Sequence, residues 1–156
     1  MTELSRDQLI DNIRIAIADT NEETEVLRIA AEMIDAFSEG FNWTGFYIMK
    51  DGVLEVGPYI GPETPHTRIE LSNGICGAAA REKKSIIVPD VAADERFLAC
   101  SLTTRSEIVV PLKFEDQIIG EIDVDSNQPS FFGPQDQEML ERIAALVVER
   151  LVAIRR

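Results

Sequence analysis

The sequence predicts an α+β layered domain, a mainly antiparallel sheet of five or six strands with the N- and C-terminal helices on one face. Three observations carry this. Apolar residues recur at helical spacing near both ends; between residues 41 and 126 the period changes to two; and tight turn pairs, not crossover helices, join most strands there. The 156 residues suit one domain spanning 1–156, with helices in 1–40, the sheet and a short embedded helix in 41–126, and a closing helix in 134–156.

The elements follow in order. Ser5-Arg6-Asp7-Gln8 offers an N-cap with an acid and an amide in the first turn, after which Leu9, Ile13, Ala16 and Ile17 recur as on one helix face, although Ile13, Ile15 and Ile17 also fit a strand. Residues 20–25 are an acidic opening for a second helix with a stripe of Val26, Ala30, Met33, Ile34 and Phe37, and Gly40 is its expected stop. Segments 43–49 and 53–60 read as strands joined by Asp51-Gly52, a pair that tolerates the positive φ angles of a tight hairpin. A short strand at 67–71, an alanine-rich helix at 74–83 and a strand at 85–88 come next. Residues 89–106 show no period and are too long for an idle connection, so they carry function or hide a short helix. Segments 107–114 and 117–125, rich in Ile and Val, form a second hairpin about Glu115-Asp116. Pro134 opens the last helix, whose Leu140, Ile143, Val147, Leu151 and Ile154 share one face.

Composition narrows the function. With 28 acids against 15 bases the formal net charge is −13, which repels phosphate backbones and anionic lipid, so no nucleic-acid or membrane role is expected. No apolar run reaches the roughly 18 residues of a membrane helix, and the polar start shows no signal peptide. A cytoplasmic chain with two reduced cysteines is the expectation. His66 and two cysteines 24 positions apart cannot supply a structural zinc site, and no phosphate-binding glycine loop or nucleophile elbow occurs.

Four features could carry chemistry. Cys76 follows Gly74-Ile75 at the start of the embedded helix, where free N–H groups and the helix dipole favour a thiolate. Cys100 lies in the aperiodic segment, where a thiol is least needed for packing. Both would otherwise be small core residues. Glu107 opens one hairpin strand while Asp123 and Asp125, two apart on the other, face the same side. Adjacent carboxylates repel one another unless a cation or a proton sits between them, and a substrate amine would serve; a solvated strand end is the alternative. Trp43 and Tyr47 share a strand face, as core or as the wall of a small apolar pocket.

Six segments then occur in a familiar order: Asn42-Trp43-Thr44-Gly45-Phe46-Tyr47, Gly57-Pro58-Tyr59, Gly74-Ile75-Cys76-Gly77, Leu98-Ala99-Cys100, Ser106-Glu107-Ile108-Val109-Val110-Pro111 and Ile122-Asp123-Val124-Asp125-Ser126. Together, over residues 20–148, they resemble the free methionine-R-sulfoxide reductases, which are single GAF domains. The resemblance implies that Cys100 attacks the sulfoxide sulfur, releasing methionine and leaving a sulfenic acid. It implies that Glu107, Asp123 and Asp125 bind the substrate's amino group and polarise its sulfoxide oxygen, with Trp43 and Tyr47 walling the S-methyl group. No bound cofactor is implied; the electrons come from an external thiol such as thioredoxin. A homodimer through the terminal helices is a family-level expectation.

The chain departs from the family at one position. A cysteine ten residues before Cys76 usually pairs with the nucleophile, and here that residue is His66. Three consequences are open: Cys76 resolves the sulfenic acid, an external thiol does so, or turnover is lost and the pocket remains. His66, standing where a disulfide partner would, is expected near Cys100, where an imidazolium would favour the thiolate. The rivals to a reductase are a non-catalytic GAF ligand-binding module and a redox sensor in which Cys76 and Cys100 pair reversibly.

Overall fold

The structure, a computed structural model, describes residues 3–97 and 103–156. Four helices and six strands lie in the order α1 (Arg6–Ile17), α2 (Glu23–Phe37), β1 (Trp43–Lys50), β2 (Val53–Ile60), β3 (Arg68–Glu70), α3 (Gly74–Glu82), β4 (Ile86–Val88), β5 (Ser106–Phe114), β6 (Gln117–Ser126) and α4 (Pro134–Arg155). Ser5 caps α1 as its sequence suggests: its hydroxyl accepts from Gln8 N at 3.1 Å, while Gln8 Oε1 accepts from Ser5 N at 2.8 Å. The end of α2 differs from expectation. The helix stops at Phe37 because Ser38 is extended (φ −146°, ψ 135°) and its hydroxyl accepts from Gly40 N at 3.2 Å, a local bond that competes with another helical turn. Gly40 serves packing instead: a Cβ there would meet the Phe131 ring at 2.0 Å.

The sheet order is β3-β2-β1-β6-β5-β4 with every pair antiparallel. Two of its connections are the expected hairpins. Asp51 and Gly52 both take positive φ (51° and 80°), the geometry that matches the twist of the flanking strands. The central pairing of β1 with β6 joins chain segments far apart in sequence.

One sheet face is closed by α1, α2 and α4. Phe46, Ile108, Val110, Ile122 and Val124 point there and are buried against Ile13, Val26, Ile34, Leu140, Ile143 and Val147. The other face is covered by α3 and the segments flanking β3. Because both faces are covered, β6 cannot show the half-exposed alternation of a surface strand, and from Gly120 to Ser126 each of its residues is buried. The aperiodic segment after β4 contains a 3-10 turn, Val91–Ala93, capped by Asp90, whose side chain accepts from Ala92 N at 3.1 Å. Among the described residues, no helix is long and apolar enough to cross a membrane.

Candidate functional site

Register places the acids in rows. Across β5, β6 and β1, Glu107 stands opposite Asp125, which stands opposite Trp43; the next row is Val109, Asp123 and Gly45; the next is Pro111, Glu121 and Tyr47. All odd-numbered positions of β6 in these rows face α3, so Glu121, Asp123 and Asp125 line one side with Glu107 beside them. From above, the first turn of α3 lowers Cys76 onto them, with Sγ 3.7 Å from Asp123 Oδ2. One donor atom each from Cys76, Glu107 and Asp123 lies within 4.8 Å of the other two.

Burial makes this cluster unusual. Glu107, Glu121, Asp123 and Asp125 are 5%, 0%, 5% and 1% exposed. Both Glu121 carboxylate oxygens and Asp123 Oδ1 lack a hydrogen-bond partner among the described residues. Burial, then the charges of Asp123 and Asp125, pushes the Glu107 carboxyl well above its ordinary range. Glu121 rises well above its own through burial and Asp123, and burial raises Asp123. Each of these carboxyl groups is thus harder to ionise than an exposed one, and a proton or a cation is what lets them coexist.

Cys76 responds oppositely to its sequence expectation. Its place at a helix start argued for a thiolate, but burial and then Asp123, Glu121, Glu107 and Asp125 push its pKa well above the usual thiol value. A helix N-terminus contributes a fraction of a charge, whereas four nearby carboxylates in a dry site outweigh it.

The aromatic wall stands beside the acids. Trp43 stacks on Tyr59 at 5.0 Å between centroids and on Tyr47 at 6.3 Å. Trp43 Nε1 donates to Pro62 O at 3.1 Å and Tyr47 Oη donates to His66 O at 2.9 Å, which ties the β2–β3 loop to this wall. Tyr59 reaches it through a bulge. Gly45 pairs with Tyr59 but Tyr47 pairs with Val56, so one extra residue of β2 shifts the alternation and turns Tyr59 onto the α3 side. Pro58, which has no N–H to give a ladder, sits in that irregular stretch.

Gly45 makes the stacking possible. A Cβ at that position would lie 2.5 Å from Tyr59 Cβ and 2.8 Å from the Trp43 ring. Gly45→Val is expected to lower unfolding free energy by about 1–3 kcal/mol through overpacking. It should also change the fluorescence of Trp43, the one tryptophan of the chain. An unchanged urea midpoint and spectrum would show that the rings are not held by this contact.

Tyr47, His66, Ile75, Cys76, Glu107 and Asp123 line a cavity of about 20 Å³. A neighbouring cavity of about 40 Å³ opens between Trp43, Pro62, Thr104, Asp125 and Asn127. A larger groove of about 1120 Å³ between α1, the end of α2 and the start of α4 contains none of these groups. Its Arg6 is engaged by Asp136 at 2.9 Å, while Arg6 Nε is buried without a hydrogen-bond partner among the described residues.

Of the residues singled out from sequence, Trp43, Tyr47, His66, Cys76, Glu107, Asp123 and Asp125 converge here. Cys100 lies outside the described residues, and with it the expected approach of His66 and of Cys76 to that thiol. Glu121 and Tyr59 were missed. Glu121 continues the alternation of Asp123 and Asp125, a signal that was present; Tyr59 depends on the bulge, which alternation alone hides.

The sequence profile of the GAF domain family matches residues 20–151. GAF domain-containing protein A of Dictyostelium discoideum is 37% identical over 131 residues, covering 82% of each chain. The free methionine-R-sulfoxide reductase of Escherichia coli is 36% identical over 104 residues, 67% of this chain and 62% of that one. Among solved structures, the free methionine-R-sulfoxide reductase of Neisseria meningitidis, in complex with its substrate, superposes with a TM-score of 0.92 at 32% identity. That superposition covers 96% of this chain and 90% of the other.

Proposed function

This chain belongs to the GAF domain family, and within it to the free methionine-R-sulfoxide reductases, and on that premise we propose that it reduces free L-methionine-R-sulfoxide to L-methionine at the acid cluster beneath α3. The observation that carries this reading is a set of four buried carboxyl groups beside stacked aromatic rings, in a cavity with no lysine or arginine among its described lining residues. A free amino acid brings the missing cation. Its ammonium neutralises Asp123 and Asp125, while its S-methyl group lies against Trp43 and Tyr47. A methionine sulfoxide inside a peptide has an amide in place of the ammonium and forfeits that interaction.

The chemistry needs one nucleophile and one acid. The Cys100 thiol attacks the sulfoxide sulfur, the oxygen is protonated, and the S–O bond is exchanged so that methionine leaves and Cys100 becomes a sulfenic acid. Glu107, harder to ionise through burial and its neighbours, serves as the acid that hydrogen-bonds the sulfoxide oxygen as charge builds on it. An external thiol then condenses with the sulfenic acid, releasing water and forming a mixed disulfide, and a second thiol, of the thioredoxin class, completes the two-electron reduction. Cys76 suits resolution poorly, because it is 4% exposed and its carboxylate neighbours disfavour the attacking thiolate.

A turnover assay with dithiothreitol and free methionine-R-sulfoxide tests both parts. Wild type and Cys76→Ser are expected to turn over, and Cys100→Ser to fall by at least 10³-fold, as for loss of a covalent nucleophile. Binding of the sulfoxide by wild type without turnover would identify a ligand-binding module, and loss of turnover in Cys76→Ser would make that residue the resolving thiol.

A further inference from the structure

Beyond the reductase reading, we propose that Cys76, Glu107 and Asp123 form a binding site for one thiophilic divalent cation of the Zn²⁺ or Cd²⁺ type. Sγ of Cys76 and a carboxylate oxygen from each of Glu107 and Asp123 lie within 4.8 Å of one another, and the Sγ–Oδ2 edge already measures 3.7 Å. A tetrahedral ion with metal–sulfur near 2.3 Å and metal–oxygen near 2.1 Å holds its donors roughly 3.4–3.7 Å apart. Closing the wider edges needs movements of about 1 Å, within reach of side-chain torsions.

Size and unmet bonding independently point to an ion. The cavity these donors line is about 20 Å³, room for one water or one monatomic ion. Glu121, 0% exposed, stands one row along the same sheet face, next to Asp123 and within electrostatic reach of Cys76. Its two oxygens and Asp123 Oδ1 have no hydrogen-bond partner among the described residues. Buried oxygens in that condition are costly unless something positive completes them.

The donor set also selects among ions. One thiolate with carboxylates suits borderline and soft cations, while the compact geometry and the sulfur disfavour Mg²⁺ and Ca²⁺, which take six or more oxygens. The net charge of −13 favours the approach of any cation. Such an ion would occupy the place assigned above to the substrate's ammonium, so metal and substrate exclude one another.

The test is Cd²⁺ titration of the full chain carrying Cys100→Ser, which leaves Cys76 as its sole thiol, followed by the ultraviolet sulfur-to-cadmium charge-transfer band. One Cd²⁺ per chain is expected, undisturbed by excess Mg²⁺. Adding Cys76→Ser should remove the band, and adding Glu107→Gln or Asp123→Asn should weaken binding at least tenfold while circular dichroism stays native. No band in the Cys100→Ser protein, or a band indifferent to both carboxylate substitutions, overturns the proposal. The readout is binding, so it stands or falls separately from turnover.

Discussion

Asp123→Asn is expected to lower kcat/KM for free methionine-R-sulfoxide by about two to three orders of magnitude. The amide has the shape of the carboxylate but turns one acceptor oxygen into an N–H donor, so the change removes the negative charge that an ammonium would meet. Truncating one partner of a desolvated, hydrogen-bonded charge pair costs about 2–5 kcal/mol, which brackets that loss. Asp123 is 5% exposed at the centre of the sheet, where water cannot screen its attraction for an ammonium. The fold should tolerate the substitution, because one of several crowded carboxyl groups loses its charge. Steady-state kinetics with thermal unfolding on the same sample checks both halves. A change under threefold in kcat/KM would remove Asp123 from substrate recognition.

Glu121→Val acts in the opposite direction, on stability. Both oxygens of this buried side chain lack partners among the described residues, and a buried polar group in that state costs about 1–3 kcal/mol. Valine has nearly the same volume and suits a strand, so the substitution is expected to stabilise the protein by that amount. In a chain of this length the gain corresponds to a Tm rise of roughly 3–10 °C. The gain should depend on pH. Native Glu121 retains its proton above the ordinary value of 4.5 at which the unfolded chain loses it. The folded state then binds more protons, so wild-type stability falls as pH climbs from the unfolded value towards the raised native one. The advantage of Glu121→Val should therefore widen from about pH 5 upwards, across the window between the unfolded and the raised native value. Unfolding midpoints at the two ends of that window decide it; a destabilised variant, or a gain that shrinks with pH, contradicts the account.

Together the two substitutions describe a site kept at a cost. Removing Glu121 improves the resting fold, whereas removing the Asp123 charge harms the reaction proposed for it. Such opposition is expected where polar groups are buried for a ligand and not for the fold.

Local patterns made much of the architecture readable. Asp51-Gly52 marked a hairpin because few residue pairs accept two positive φ angles, and both positions adopt them. The 3, 4, 4, 3 spacing from Leu140 to Ile154 marked the buried face of α4 because a helix repeats every 3.6 residues. The pairing of β1 with β6 left no such trace, since long-range partners are chosen by what both strands bury.

At the site, residue types and the period of two on their own determined that Asp123 and Asp125 share a face, and motif order tied them to Glu107, Cys76, Trp43 and Tyr47. Tertiary structure alone decided that this face is buried, because α3 covers it, and so turned a row of strand acids into carboxyl groups that are hard to ionise. It also decided the state of Cys76, whose helix-start position is a local fact while the four carboxylates beneath it come from other strands. The bulge at Gly57-Pro58 carried Tyr59 across to the aromatic wall against simple alternation. Spacing along a chain sets directions of side chains; which of them lose water, and which charges then meet, depends on elements packed from elsewhere.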